Sequence, residues 1–277
     1  MSGGVRDGRA ADPGAGDRRH ADRRPSSTAT IGRVLEGGAG VCRSAGIPVA
    51  GGHTIDSVEA IYGLVALGLV HPKQVKRNAD ARPGDVLVLG KPLGVGVQSA
   101  AYSEEGQLDA GYAQMIATTT ALTHAGAELA ALAGVHALTD VTGFGLAGHA
   151  LEMARGAGCE CRSTGRRCRC WTACGRSQAR VSSPSASGHA GPAMALVSLP
   201  AGFAAEDKAL LTDPQTSGGL LVACAPGLAM RCSASSLAAG VRRRRGRRPR
   251  AFVGAALLER AGMSGQGATR PGRRPWA

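Results

Sequence analysis

Apolar positions along this chain follow a helical period in some stretches and a strand-like pattern in others, and the switches between them outline the elements. IGRVLEGGAGVCRSAG has helical spacing and ends at Gly46. IPVAGG (47–52) predicts a short apolar strand running into a glycine turn, and IYGLVALGLV (61–70) is a near-continuous apolar run of strand length. A polar connection follows, closing on the turn tripeptide Pro83-Gly84-Asp85, and VLVLGKP (86–92) predicts the next strand. Helical spacing returns over 111–134 and stops at Gly134. VHALTDV (135–141) predicts a strand and GLAGHALEMARGAG (145–158) the helix after it. LLTDPQTSGGLLVACAPG (210–227) reads as a loop and then a strand. Strands alternating with helices predict an α/β or α+β layered fold, a mixed sheet packed with helices.

Three stretches, 1–31, 159–192 and 228–277, carry no such period and are rich in Arg, Gly, Ser, Pro or Cys. One reading makes them disordered tails and a disordered insert. Another fits their sharp edges better: Arg-, Gly-, Cys- and Ser-heavy text is what GC-rich DNA gives when translated out of frame. On either reading the ordered protein is 32–158 together with 193–227.

Composition sharpens this division. Hydrophobic residues make up 43% of the chain but aromatics only 3%, so the core is expected to be Ala, Val and Leu, with many of the 42 glycines in turns. The net charge of +13 is unevenly spread: −3 over 32–158 and −2 over 193–227, against +5 over 159–192 and +11 over 228–277. A folded domain does not usually partition its bases that way. No run of eighteen apolar residues predicts a membrane span, and the first 27 residues lack the apolar core of a secretory signal. The expected location is the cytoplasm, with no membrane partner.

Three phrases concentrate the chemistry: AGGHTID (50–56), TDVTGFGLAGH (139–149) and DPQTSGG (213–219). Each packs glycines, small hydroxyl residues and a carboxylate or two into a tight loop, a composition that lets backbone amides and carboxylates approach phosphate and magnesium. In the first, His53, Thr54 and Asp56 suit contacts to phosphate, ribose or metal; an ordinary strand-to-turn junction capped by Asp56 explains them equally well. In the second, Gly143, Gly145 and Gly148 form a G-x-G-x-x-G after a strand. The dinucleotide reading fails because no acidic residue ends a following strand about 20 residues on. A glycine turn at a helix start still favours an anion, and Asp140 beside it is the kind of oxygen ligand magnesium shares with phosphate. The third reads as either a structural turn or a site loop.

Other features weigh less. Five of the eight cysteines fall in CECRSTGRRCRCWTAC (159–174), but their spacings are not the C-x₂-C pairs of common zinc sites. VRRRRGRRPR (241–250) would bind nucleic acid electrostatically, without interleaved aromatics to stack on bases. His124 and His149 read as surface or core residues of helices, and Cys42 and Cys224 as buried thiols.

The phrases GGHTID, IYGLV, GLVHP, RPGDVLVL, KPLGVG, TDVTGFGL and DPQTSGGLL, in this order, resemble the C-terminal half of the selenophosphate synthetases (selenide, water dikinases). More loosely they resemble thiamine-phosphate kinase or a hydrogenase maturation factor of the same aminoimidazole-ribonucleotide-synthetase-like ATP-binding superfamily. The resemblance implies that superfamily's C-terminal domain fold and the reaction of ATP, selenide and water to selenophosphate, AMP and phosphate. It implies ATP contacts at Gly52, His53 and Thr54, a magnesium carboxylate at Asp140, and a homodimer. The family's nucleophile, a Cys or selenocysteine with a nearby Lys, matches nothing in 1–31, which contains neither residue. The chain is therefore expected to hold no catalytic residue of its own and to be inactive alone. The alternatives are a nucleic-acid-binding protein that uses its Arg-rich tail on an inactive domain, or another ATP-binding member of the same superfamily.

Overall fold

The computed structural model describes residues 28–55, 57, 60–105, 110–163, 209–238 and 256–260. The chain divides into two compact units, Met1–His71 and Pro72–Ala277.

The first unit contains helix α1 (Thr28–Ser44), with Gly38 and Cys42 on its buried side. Its end is a Schellman motif. The Gly46 N–H reaches the Arg43 carbonyl and the Ile47 N–H the Cys42 carbonyl, both at 3.0 Å, with Gly46 at φ +70°. The strands expected at 47–52 and 61–70 do not form: the backbone there is irregular, with one isolated bridge residue at Ile61. A strand needs a neighbour for its backbone groups and for one face of its side chains. Leu67 is 83% exposed, and Leu64, Val65 and Val70 more than half.

The second unit is built on strands β1 (Val86–Leu89), β2 (Val135–Asp140), β3 (Cys159–Ser163), β4 (Leu220–Cys224) and β5 (Ala256–Arg260). They form one sheet in the order β2-β4-β1-β5-β3, and every neighbouring pair is antiparallel. Among the described residues it also has helices α2 (Val95–Glu105), α3 (Ala110–Thr119), α4 (Ala125–Ala130), α5 (Gly145–Gly156) and α6 (Ala229–Ala238). The layered α+β class expected from the alternation of elements is the class observed, but the sheet is antiparallel in every described pair where a mixed sheet was expected.

The two-residue period of the strands sorts their side chains into two cores. Leu87, Leu89, Leu221 and Ala223 meet Leu93, Leu146, Ala150 and Met153 on the α2 and α5 face. Val88, Val222 and Cys224 meet Ala125 and Leu129 of α4 and Ala229 and Cys232 of α6 on the other. Because β1 and β4 are buried on both faces, they read as continuous apolar runs rather than alternating ones. In β2 the register slips between Val135 and Ala137. The extra residue of this bulge, His136, places its Nδ1 2.8 and 2.9 Å from the two oxygens of buried Asp85.

Two elements depart from the sequence reading. The helix expected over 111–134 is divided into α3 and α4. At the break, the hydroxyls of Thr118, Thr119 and Thr120 bond to the carbonyls of Gln114, Met115 and Ile116 at 2.8, 3.0 and 2.7 Å, a pattern that bends and ends helices. Helix α6 and strands β3 and β5 lie in stretches without sequence periodicity. In α6, Ala229 and Cys232 are nonetheless buried.

Candidate functional site

The C-terminal ends of β1 and β2 and the N-terminal end of β4 meet at one edge of the sheet, because β4 runs between β1 and β2 and antiparallel to both. Three loops converge there: Gly90-Lys91 after β1, Val141–Gly145 after β2, and the DPQTSGG loop before β4. Asp140 is the last residue of β2 and pairs with Leu220 in register. It is exposed.

The backbone just beyond Asp140 is fixed from two sides. The Val141 N–H donates to Gly219 O at 3.0 Å, and the Thr142 carbonyl accepts the Gln215 N–H at 3.1 Å. The Thr142 N–H donates to His149 Nε2 at 3.0 Å, and the Thr142 hydroxyl lies 3.0 Å from the same nitrogen. An accepting Nε2 leaves the ring proton on Nδ1. Nδ1 is 3.4 Å from Glu152 Oε2 but makes no hydrogen bond with it. Glu152 is held in turn by Asn78 Nδ2 at 2.8 Å. His149, expected as a surface or core residue, is thus a core residue that reaches back one helical turn beyond its own start.

Glycine is required where these segments touch. Gly145 has φ +66°, and a Cβ there would meet the Thr212 carbonyl carbon at 2.6 Å. A Cβ on Gly218 would strike the Val141 carbonyl oxygen, and one on Gly219 the Lys91 backbone nitrogen.

Two buried charged residues tie the DPQTSGG loop down. Asp213 is 2% exposed and caps helix α2 from far along the chain. Its Oδ2 accepts the Gly96 N–H at 3.1 Å and Gln215 Nε2 at 2.7 Å. Burial pushes its carboxyl up to about 6, and the Gln215 amide and the backbone amides of Gly96, Val97 and Gly94 hold it from rising further. Lys91 is 8% exposed. Its Nζ donates to Ala121 O and Ser217 O, both at 2.7 Å, with Ser217 Oγ at 3.5 Å. Burial lowers its pKa. Ser217 itself sits at φ +50°. DPQTSGG, left open between a turn and a site loop, is the brace of this corner. Lys91 and the cap made by Asp213 were missed in the sequence; the one available signal was a single Lys inside the glycine-rich, apolar text GKPLGVG.

Gly52, His53 and Thr54 lie in the first unit, in an exposed irregular segment. A Cβ on Gly51 or Gly52 would meet nothing within 4 Å. Asp56, the Cys-rich text beyond Ser163 and the Arg-rich run 241–250 lie outside the described residues. Cys42 and Cys224 are buried thiols, as expected. Burial, with Cys232 alongside, pushes Cys224 up to about 12.

Among the described residues no three of His, Cys, Asp and Glu gather to hold a metal, and the Asp140 carboxylate takes no hydrogen bond or ion pair. That donor set suits a hard cation that keeps its waters and shares phosphate oxygens, such as magnesium, and does not suit a closed protein cage. No helix among the described residues is long and apolar enough to cross a membrane.

Residues 82–242 match the family described as AIR synthase related protein, C-terminal domain, which spans both faces of the sheet and all three loops of the corner. The chain belongs to that family. Within it, the chain is 63% identical over 202 residues to a selenide, water dikinase of Burkholderia pseudomallei, a match covering 71% of this chain and 56% of the relative. It is 52% identical over 216 residues to that of Paraburkholderia xenovorans, again covering 71% and 56%. The chain spans a little over half the length of the curated relatives it matches. Solved structures with the same AIR synthase-like fold include a hydrogenase maturation protein HypE in complex with ATP. Its TM-score is 0.57 at 16% identity, over 83% of this chain and 61% of that one. A thiamine-monophosphate kinase from Stenotrophomonas maltophilia scores 0.55 at 15% identity, over 85% and 66%.

Proposed function

We propose that this chain carries the C-terminal part of a selenide, water dikinase, in which ATP, selenide and water become selenophosphate, AMP and phosphate. The observation that carries the reading is the pairing of high identity to enzymes of that name with an exposed Asp140 whose carboxylate has no partner among the described residues, on a backbone hydrogen-bonded from both sides beside it. Identity separates this reading from the HypE and thiamine-monophosphate kinase neighbours, which share the fold alone at 15–16%.

Magnesium, when bound, neutralises charge on the polyphosphate and helps align it for attack. Asp140 supplies one oxygen ligand. Gly52, with open space around it, lets backbone approach the nucleotide, and His53 and Thr54 offer a ring nitrogen and a hydroxyl to ATP oxygens. A homodimer and a cytoplasmic location go with this reading. The stretches 1–31, 159–192 and 228–277 are read as text altered by frame changes, although α6, β3 and β5 carry part of it into the fold; resequencing the coding DNA in all three frames tests that. With one candidate metal carboxylate, the 277-residue chain by itself is expected to bind magnesium-ATP weakly and to make no selenophosphate. Selenide-dependent AMP release by the purified chain, above a no-protein control, overturns that expectation. Equal ATP affinity in the chain and in its His53→Ala and Asp140→Asn variants overturns the site assignment.

A further inference from the structure

We infer that Lys91 and His149 are positioning residues for Asp140, acting through the backbone of residues 141 and 142. The inference rests on the reading of Asp140 as a magnesium carboxylate. A strand-end carboxylate is only as well placed as the peptide that follows it, and an exposed strand end ordinarily frays. Here three of its backbone groups are taken. The Thr142 N–H is taken by His149 Nε2, the Val141 N–H by Gly219 O and the Thr142 carbonyl by the Gln215 N–H. The last two partners belong to the DPQTSGG loop, whose shape depends on Lys91: its ammonium accounts for the inward turn of the Ser217 carbonyl and fastens it to the Ala121 carbonyl. Among the described residues the buried ammonium has carbonyl partners and no carboxylate, a costly arrangement. A stretch of core packing would need no such group. The arrangement makes sense where a loop must be held in one conformation, and the group it borders is Asp140. Both side chains are buried and bonded to these protein partners, so neither is assigned as a ligand.

The test compares the full chain with Lys91→Met and Lys91→Arg, and with His149→Phe and His149→Gln. Gln keeps an acceptor near the Nε2 position, and Arg keeps a buried cation. Two readouts are taken, amide hydrogen exchange by NMR and Mn²⁺ binding followed by loss of the free-ion EPR signal. Lys91→Met is expected to speed exchange of the Val141 and Gln215 amides at least tenfold, and His149→Phe that of Thr142. The amides of Val88 and Val222 in the central strands should stay as slow as in the parent. Both variants should weaken Mn²⁺ binding at least fivefold, and His149→Gln should recover most of it. Unchanged exchange at 141, 142 and 215 overturns the clamp. Faster exchange with unchanged Mn²⁺ affinity overturns the positioning role. An Asp140→Asn variant that binds Mn²⁺ like the parent sinks the metal reading instead, while the exchange data still judge the clamp. A variant that loses slow exchange at Val88 and Val222 has lost its fold, and Lys91→Arg and His149→Gln then decide.

Discussion

The buried carboxyl of Asp213 should write a distinctive pH dependence into the stability of this domain. Its folded-state pKa is about 6, against 3.8 when exposed. Between those values the folded chain binds a proton that the unfolded chain has released. Stability from this group is therefore complete below about pH 4 and is lost as pH rises through about 6. The gap corresponds to on the order of 3 kcal/mol, with a slope approaching about 1.4 kcal/mol per pH unit in the middle of the window. Burial wins over four favourable amides because the carboxylate lies beneath the α2 N-terminus with almost no solvent contact. The perturbation is Asp213→Asn, which keeps a capping oxygen of similar strength and cannot ionise. Urea unfolding followed by circular dichroism at pH 4, 5, 6 and 7 measures both proteins. The difference between variant and parent should move in the variant's favour by on the order of 3 kcal/mol from pH 4 to pH 7. Other groups titrate alike in both and cancel. Parallel curves, with a constant difference across the range, refute the reasoning.

Three further outcomes follow from the packing and the corner. Gly218→Ala drives a methyl into the Val141 carbonyl oxygen and should cost about 2 kcal/mol or more, read as a lower thermal midpoint. Met153→Ala empties a position with no exposed surface under the sheet and should cost about 2–5 kcal/mol in urea titration. Asp140→Asn should leave stability within about 0.5 kcal/mol, since an exposed side chain with no partner among the described residues contributes little to folding. The same variant should weaken Mn²⁺ binding at least fivefold by EPR.

What could be read from the sequence was what is local. VLVL and LLVAC announce strands by their own composition, and α5 is bounded by glycines that the chain shows directly. The run 61–70 has the same apolar character as β1, yet a strand is a relation between two segments, and its composition says nothing about a neighbour. The division of 111–134 was visible in principle, since three consecutive threonines invite hydroxyls onto the preceding carbonyls. In the candidate site, Asp140 stood out because its own phrase surrounds it. Lys91, His149 and the purpose of DPQTSGG did not, because each works on a residue elsewhere: Lys91 on Ser217, Asp213 on Gly96, His149 on Thr142. Helix α6 was passed over because Arg231 and its serines hide the apolar buried positions Ala229 and Cys232.

The bond from Lys91 to Ser217 closes a loop of 126 residues, and that from Gly96 to Asp213 one of 117. Contacts of such span repay their chain-closure cost only after most of the domain has already condensed. The corner beside Asp140 is therefore completed late, after β1 and β2 have both been made. During synthesis, β1 and β2 leave the ribosome with nothing between them, and the Lys91 ammonium stays hydrated until β4 arrives to enter the gap. Whatever Asp140 is for, it is unavailable until the chain has been made to Gly219, and a product halted before that residue keeps the carboxylate without its setting.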